Sequence, residues 1–190
     1  MLAAWLRLPA GGVLAALAGA RRASLLPAPR CSLGAGDAAA GLIAVMAASM
    51  DEEAALPARI ARACSMSLEA PDGADPLDAM PRGPFGLLVG QTAGAASVNG
   101  YLNFAETLGA ALARHEPNAG LIGLERLTLR LHGTAAAGTI QARTPDGTCA
   151  WNFTPDGRPV QRAGLCREVS AGPAILTGIG FLLSAEAARG

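Results

Sequence analysis

The clearest pattern in the chain is alternation. Leu127, Leu129 and Leu131 alternate with Thr128, Arg130 and His132, which predicts a strand with one buried and one wet face. Two further β-rich runs follow, and the turn Thr-Pro-Asp-Gly occurs twice, at Thr144–Gly147 and Thr154–Gly157. In each turn Pro presets the first dihedral, Asp bonds its own backbone and Gly supplies positive φ. The pattern predicts an antiparallel β-meander of three or four strands over residues ~125–166.

Its register follows from burial. A three-residue loop with a glycine bulge pairs Thr144 with Thr148 and separates Ile140 and Val160 from Trp151. An even loop puts Ile140, Trp151 and Val160 in one row. A one-residue slip turns every side chain over, and only the even loop gives Trp151 apolar neighbours. Trp151 is therefore expected inside and Asn152 outside.

Elsewhere the period is helical. Residues 38–66 read as a helix in two pieces, with Asp51-Glu52-Glu53 suited to a helix start, Pro57 restarting the second piece, and Ile60 and Ala63 inward. Tyr101, Leu102, Phe104, Ala105, Leu108 and Leu112 recur at helical spacing, with Asn99 as a candidate cap. Pro173 opens a last apolar helix reaching Arg189. Residues 71–84 carry four prolines among Asp and Gly and read as a surface loop. Gly86, Gly90 and Gly94 recur every four residues, and this stretch reads as a helix with a smooth face or as a strand. The expected class is α+β, with helices packed on one face of the meander.

Composition changes the picture at the N-terminus. Residues 1–36 hold Arg7, Arg21, Arg22 and Arg30 and no acid; the other eleven arginines face all fifteen acids. Such segregation marks an address sequence or an arm. The readings are a secretory signal ending at Ala18-Gly19-Ala20, an organellar presequence, and an ordinary helix. The expected organisation is a targeting segment or N-terminal arm over 1–36 and a single α+β domain over 37–190. Within it, residues 37–68 are helical, 69–84 form the Pro-rich loop, and 85–190 run helix, meander, helix. In this reading the first helix lies apart from the core, and the compartment is secreted or periplasmic, or organellar. No stretch reaches the ~18 uninterrupted apolar residues of a membrane span, and a mildly acidic body without basic clusters argues against nucleic acid.

Candidate chemistry is sparse. Cys31, Cys64, Cys149 and Cys166 form no C-x-x-C and have no histidine at ligand spacing, so no metal site and no cofactor is expected. Either register keeps Cys149 and Cys166 too far apart for a disulfide. His132, on the polar side of its strand, is a candidate general base serving Cys166 or Thr128, set against a simply solvated imidazole. His115 sits at a helix C-terminus, where a cation is favourable. Asn152-Phe153-Thr154 fits a glycosylation sequon, and Asp72, Asp75 and Asp78 read as solvated loop acids rather than a calcium loop.

With few titratable groups converging, the first expectation is a non-enzymatic binding or assembly protein, with a protein partner or a second copy. The alternative is a carrier of a small apolar ligand held by Tyr101, Phe104 and Trp151. A third reading is an enzyme using His132 or a cysteine.

Overall fold

The structure is a computed structural model and describes residues 9–28, 34–50, 55–69, 103–113, 123–133, 137–144, 147–159 and 168–187. The class is α+β. Among the described residues, five helices, α1 (Ala10–Arg22), α2 (Ala35–Ala48), α3 (Leu56–Ser65), α4 (Phe104–Ala113) and α5 (Pro173–Ala187), accompany a five-stranded antiparallel sheet. The strands are β1 (Ser67–Leu68), β2 (Leu127–His132), β3 (Ala137–Thr144), β4 (Gly147–Thr154) and β5 (Glu168–Ala171), arranged β1-β4-β3-β2-β5.

The meander is β2-β3-β4, and its first loop is even. Thr144 pairs with Gly147, so Ile140 stands opposite Trp151, and both are buried. Val160, the third member of the expected row, lies outside the described residues. Gly147 and Gly157 both have positive φ, at 136° and 70°. In the second turn Gly157 N–H donates to Thr154 O at 3.3 Å and Arg158 N–H donates to Asp156 Oδ1 at 3.2 Å. Turn chemistry thus acts as the residues dictate.

Among the described residues, both edges of the sheet come from outside the meander. Beyond β4 lies β1, with Leu68 opposite Phe153, and beyond β2 lies β5, with Ala171 opposite Leu129. Two- and four-residue strands are too short to show a period of their own.

Alternation divides the sheet into two faces. One carries Leu68, Leu127, Leu129, Leu131, Ile140, Trp151, Phe153 and Ala171, all buried in the main core. Gly138 completes it. A Cβ there would lie 2.7 Å from Phe104 Cζ and 2.9 Å from Met66 Cε, so the bare backbone makes room for the α4 ring. Phe104 in turn packs on Phe153, with ring centroids 5.1 Å apart.

The helices pack around α2. Every residue from Ala39 to Ala47 is buried, the mark of a helix apolar all round at the centre of a core. It contacts α1, α3, α4 and β2. Small side chains allow this crowding: a Cβ on Gly109 of α4 would come within 3.1 Å of Gly36 Cα. Pro57 starts α3, and Ile60 and Ala63 point inward as expected. For α4 the cap is Asn103. Its Oδ1 accepts from Glu106 N–H at 2.8 Å, and Glu106 Oε2 accepts from Asn103 N–H at 3.1 Å. This reciprocal capping box takes the role assigned to Asn99, which lies outside the described residues, as do 71–84 and 86–94.

The first helix does not lie apart. Ala16, Gly19 and Ala20 of α1 are buried, Ala20 belongs to the main core, and Val13 and Ala16 cluster with Val45. A Cβ on Gly19 would touch Ile60 and Leu56 of α3. The arginines at its end have a local place in the helix. Arg21 and Arg22 occupy the last turn of α1, where cations complement the helix dipole. Among the described residues, no helix is long and apolar enough to cross a membrane.

Candidate functional site

The second sheet face carries Thr128, Arg130, His132, Thr139, Gln141, Arg143, Thr148, Asn152, Glu168 and Ser170 by the register of the strands. Two arrangements occupy it, one polar network near the end of β2 and one broad basin further along.

The network starts at His132, which is 5% exposed. Its Nδ1 lies 3.6 Å from Glu168 Oε2 on β5, and its Nε2 lies 3.4 Å from Thr139 Oγ1 on β3. Thr139 Oγ1 donates to Asn152 Oδ1 on β4 at 3.1 Å, and Arg130 Nη1 lies 3.4 Å from Glu168 Oε1. The solvated reading of His132 is therefore wrong, because β5 and β3 close over the imidazole from both sides. Nor does it serve Thr128. That residue lies four positions back along β2, roughly 13 Å at strand rise. Cys166 lies outside the described residues.

Carboxylate, imidazole and hydroxyl follow one another in the order that activates a nucleophile. The proton directions oppose that use. Thr139 commits its proton to Asn152, so its oxygen is left to accept from the imidazole rather than deliver a proton to it. Thr139 is also only 6% exposed. Buried polar groups hold their place when each has a partner, and this network ties β5, β2, β3 and β4 together. Asn152 is half-buried within it, rather than open to solvent as the sequon reading requires.

The basin is lined by Glu125, Arg126, Thr128, Arg130, Gln141, Arg143, Thr148 and Pro173, with a volume near 800 Å³. The short 3-10 turn Leu124–Arg126 leads into β2 and places Arg126 at its edge. Arg143 is exposed near the end of β3, one step beyond the Leu127–Ala142 pair. Arg126 Nε lies 3.9 Å from Glu125 Oε1. No ion pair joins Arg143 to a carboxylate among the described residues.

Beside the core, among the described residues, lies a much smaller pocket. A pocket of about 20 Å³ lies among Ala47, Met50, Arg59, Arg62, Ala63, Met66, Leu131 and His132, room for about one water. Phe104 is fully buried and Trp151 nearly so, and neither lines either of these two cavities. Tyr101 lies outside the described residues. Among the described residues no three His, Cys, Asp or Glu side chains group as metal ligands. Burial pushes the Cys64 thiol up to about 12, the environment of an inert structural cysteine.

No protein-family model, no curated protein and no solved structure matches this chain.

The basin was not foreseen, although alternation along β2 did predict a wet face. What was missing was the partner strand: Gln141, Arg143 and Thr148 reach one surface only once the register is set.

Proposed function

We propose that this chain is a non-enzymatic binding protein that uses the open, polar face of its sheet. One contrast supports this above all: the basin on that face measures about 800 Å³ and the core pocket about 20 Å³. A carrier of an apolar ligand needs an apolar cavity of about 300 Å³ or more, and the pocket beside the core among the described residues falls far short. The basin meets that size, but its lining favours a polar partner.

A second reading, assembly with another copy, draws on α5. Phe181 is 72% exposed. Ala174 on the same helix is also exposed, while Gly178 and Leu182 are half-buried. Thr177 is exposed on the same side, so Phe181 is the large apolar group that this face of α5 presents.

The test separates the two surfaces. Gln141→Trp and Thr148→Trp fill the basin, whereas Phe181→Glu charges α5. Partners are cross-linked in extract of the native host and identified by mass spectrometry. The basin reading expects the wild-type partner to be lost with both tryptophan variants and kept with Phe181→Glu. The reverse pattern overturns it and moves the contact to α5, where sedimentation shows whether the partner is a second copy.

A further inference from the structure

The arginines of the open face carry the argument one step beyond a polar surface. Arg126 and Arg143 flank the Leu127–Ala142 pair on the same side and both line the basin. Like charges facing one another on adjacent strands repel. Glu125 lies 3.9 Å from Arg126, while no carboxylate pairs with Arg143 among the described residues. Arg130, the third arginine of the basin, already faces Glu168. Three arginines against two glutamates leave the surface one unit positive, on a body that is otherwise acidic.

We infer that the basin binds a ligand through a carboxylate held between Arg126 and Arg143, an inference that rests on the open face being the binding surface. The planar guanidinium fork matches the two oxygens of a carboxylate. A single negative charge balances the one uncompensated arginine, whereas a doubly charged phosphate exceeds it and meets Glu125 at the rim. Thr128, Gln141 and Thr148 then offer hydroxyl and amide groups to the rest of the ligand. The volume lies within the range of small-molecule sites, about 300–1,000 Å³.

The experiment uses the full chain with ¹⁵N-labelled arginine, followed by the Nε–H signals of Arg126 and Arg143. The probe is sodium monomethyl glutarate, which carries one carboxylate, titrated against inorganic phosphate and sodium chloride at matched ionic strength. Expected is a saturable shift of both signals with glutarate, weaker with phosphate. The glutarate affinity should fall about tenfold or more in Arg126→Gln and in Arg143→Gln, since charge-assisted bonds to a carboxylate are lost. Both side chains are exposed, so the variants should fold, and unchanged amide spectra elsewhere verify this. Absence of a saturable glutarate shift, affinity unchanged from wild type in both variants, or tighter binding of phosphate would each overturn the inference. Its failure is distinguishable from that of the broader reading. If Gln141→Trp abolishes partner capture while glutarate does not bind, the face stands and the carboxylate falls.

Discussion

Gly138→Ala adds one methyl group to the most crowded point between sheet and helices. The new Cβ would lie 2.7 Å from Phe104 Cζ, and 2.9 Å from both Phe104 Cε1 and Met66 Cε. Met66 Cε ends a flexible side chain and can swing away. The Phe104 ring cannot, because it is fully buried and set against Phe153 at 5.1 Å. Overpacking of this kind costs about 1–3 kcal/mol. Alanine also restricts the unfolded chain, which returns about 0.4–1 kcal/mol. The net expectation is a loss of about 1–2 kcal/mol, a fall of roughly 2–8 °C in Tm at this chain length. Urea denaturation followed by tryptophan fluorescence measures it. Phe104→Leu should rescue the variant: the double mutant should lose less than the sum of the singles by at least ~0.5 kcal/mol. A neutral or stabilised Gly138→Ala, or strict additivity with Phe104→Leu, would show that ring and strand do not meet as described.

The meander was legible because three signals agreed. The leucines of β2 alternate, two turns repeat one motif, and only one loop parity surrounds Trp151 with apolar groups. The boundaries of α3 and α5 were legible from their prolines. The edges of the sheet were not. β1 holds two residues and β5 four, and what makes them strands is the unpaired backbone of β4 and β2 beside them. The cap of α4 shows a related limit. Asn99 and Asn103 are both plausible by residue type, and the choice falls to whichever has Glu three positions later.

Four further outcomes check the account. Trp151→Ala should cost about 3–5 kcal/mol by calorimetry, since the ring is buried on the core face; a loss below ~1 kcal/mol would place it outside. Gly157→Val should destabilise by about 1–3 kcal/mol, because φ is +70° and a Cβ would lie 3.1 Å from Leu68 O; an unchanged melting curve would contradict the turn. Cys64 has its thiol pKa raised from 9.0 to about 12, so its contribution is complete below pH 9 and is lost as pH rises toward 12. Melts of wild type should therefore fall more steeply over that window than those of Cys64→Ala, and parallel curves would refute the burial. Removing residues 1–22 should cost about 2 kcal/mol or more, since α1 buries Val13, Ala16 and Ala20 and covers Ile60; an unchanged Tm would restore a detachable first helix.

The packing of α1 shows that a segment set apart by its composition still belongs to the core. A helix free of acids with four arginines around it resembles an address, yet its alanines and glycine fit against α2 and α3. The same small residues that make the chain look low in information let three helices crowd around α2 without large side chains. Among the described residues the pocket beside this crowded core holds about 20 Å³. The proposed binding surface is the opposite face of the sheet, where the residues between the leucines of β2 meet Gln141, Arg143 and Thr148. The polar half of the alternation that first revealed β2 is thus the half on which the proposed function rests, and its chemistry is set by which arginines the β2–β3 register brings side by side.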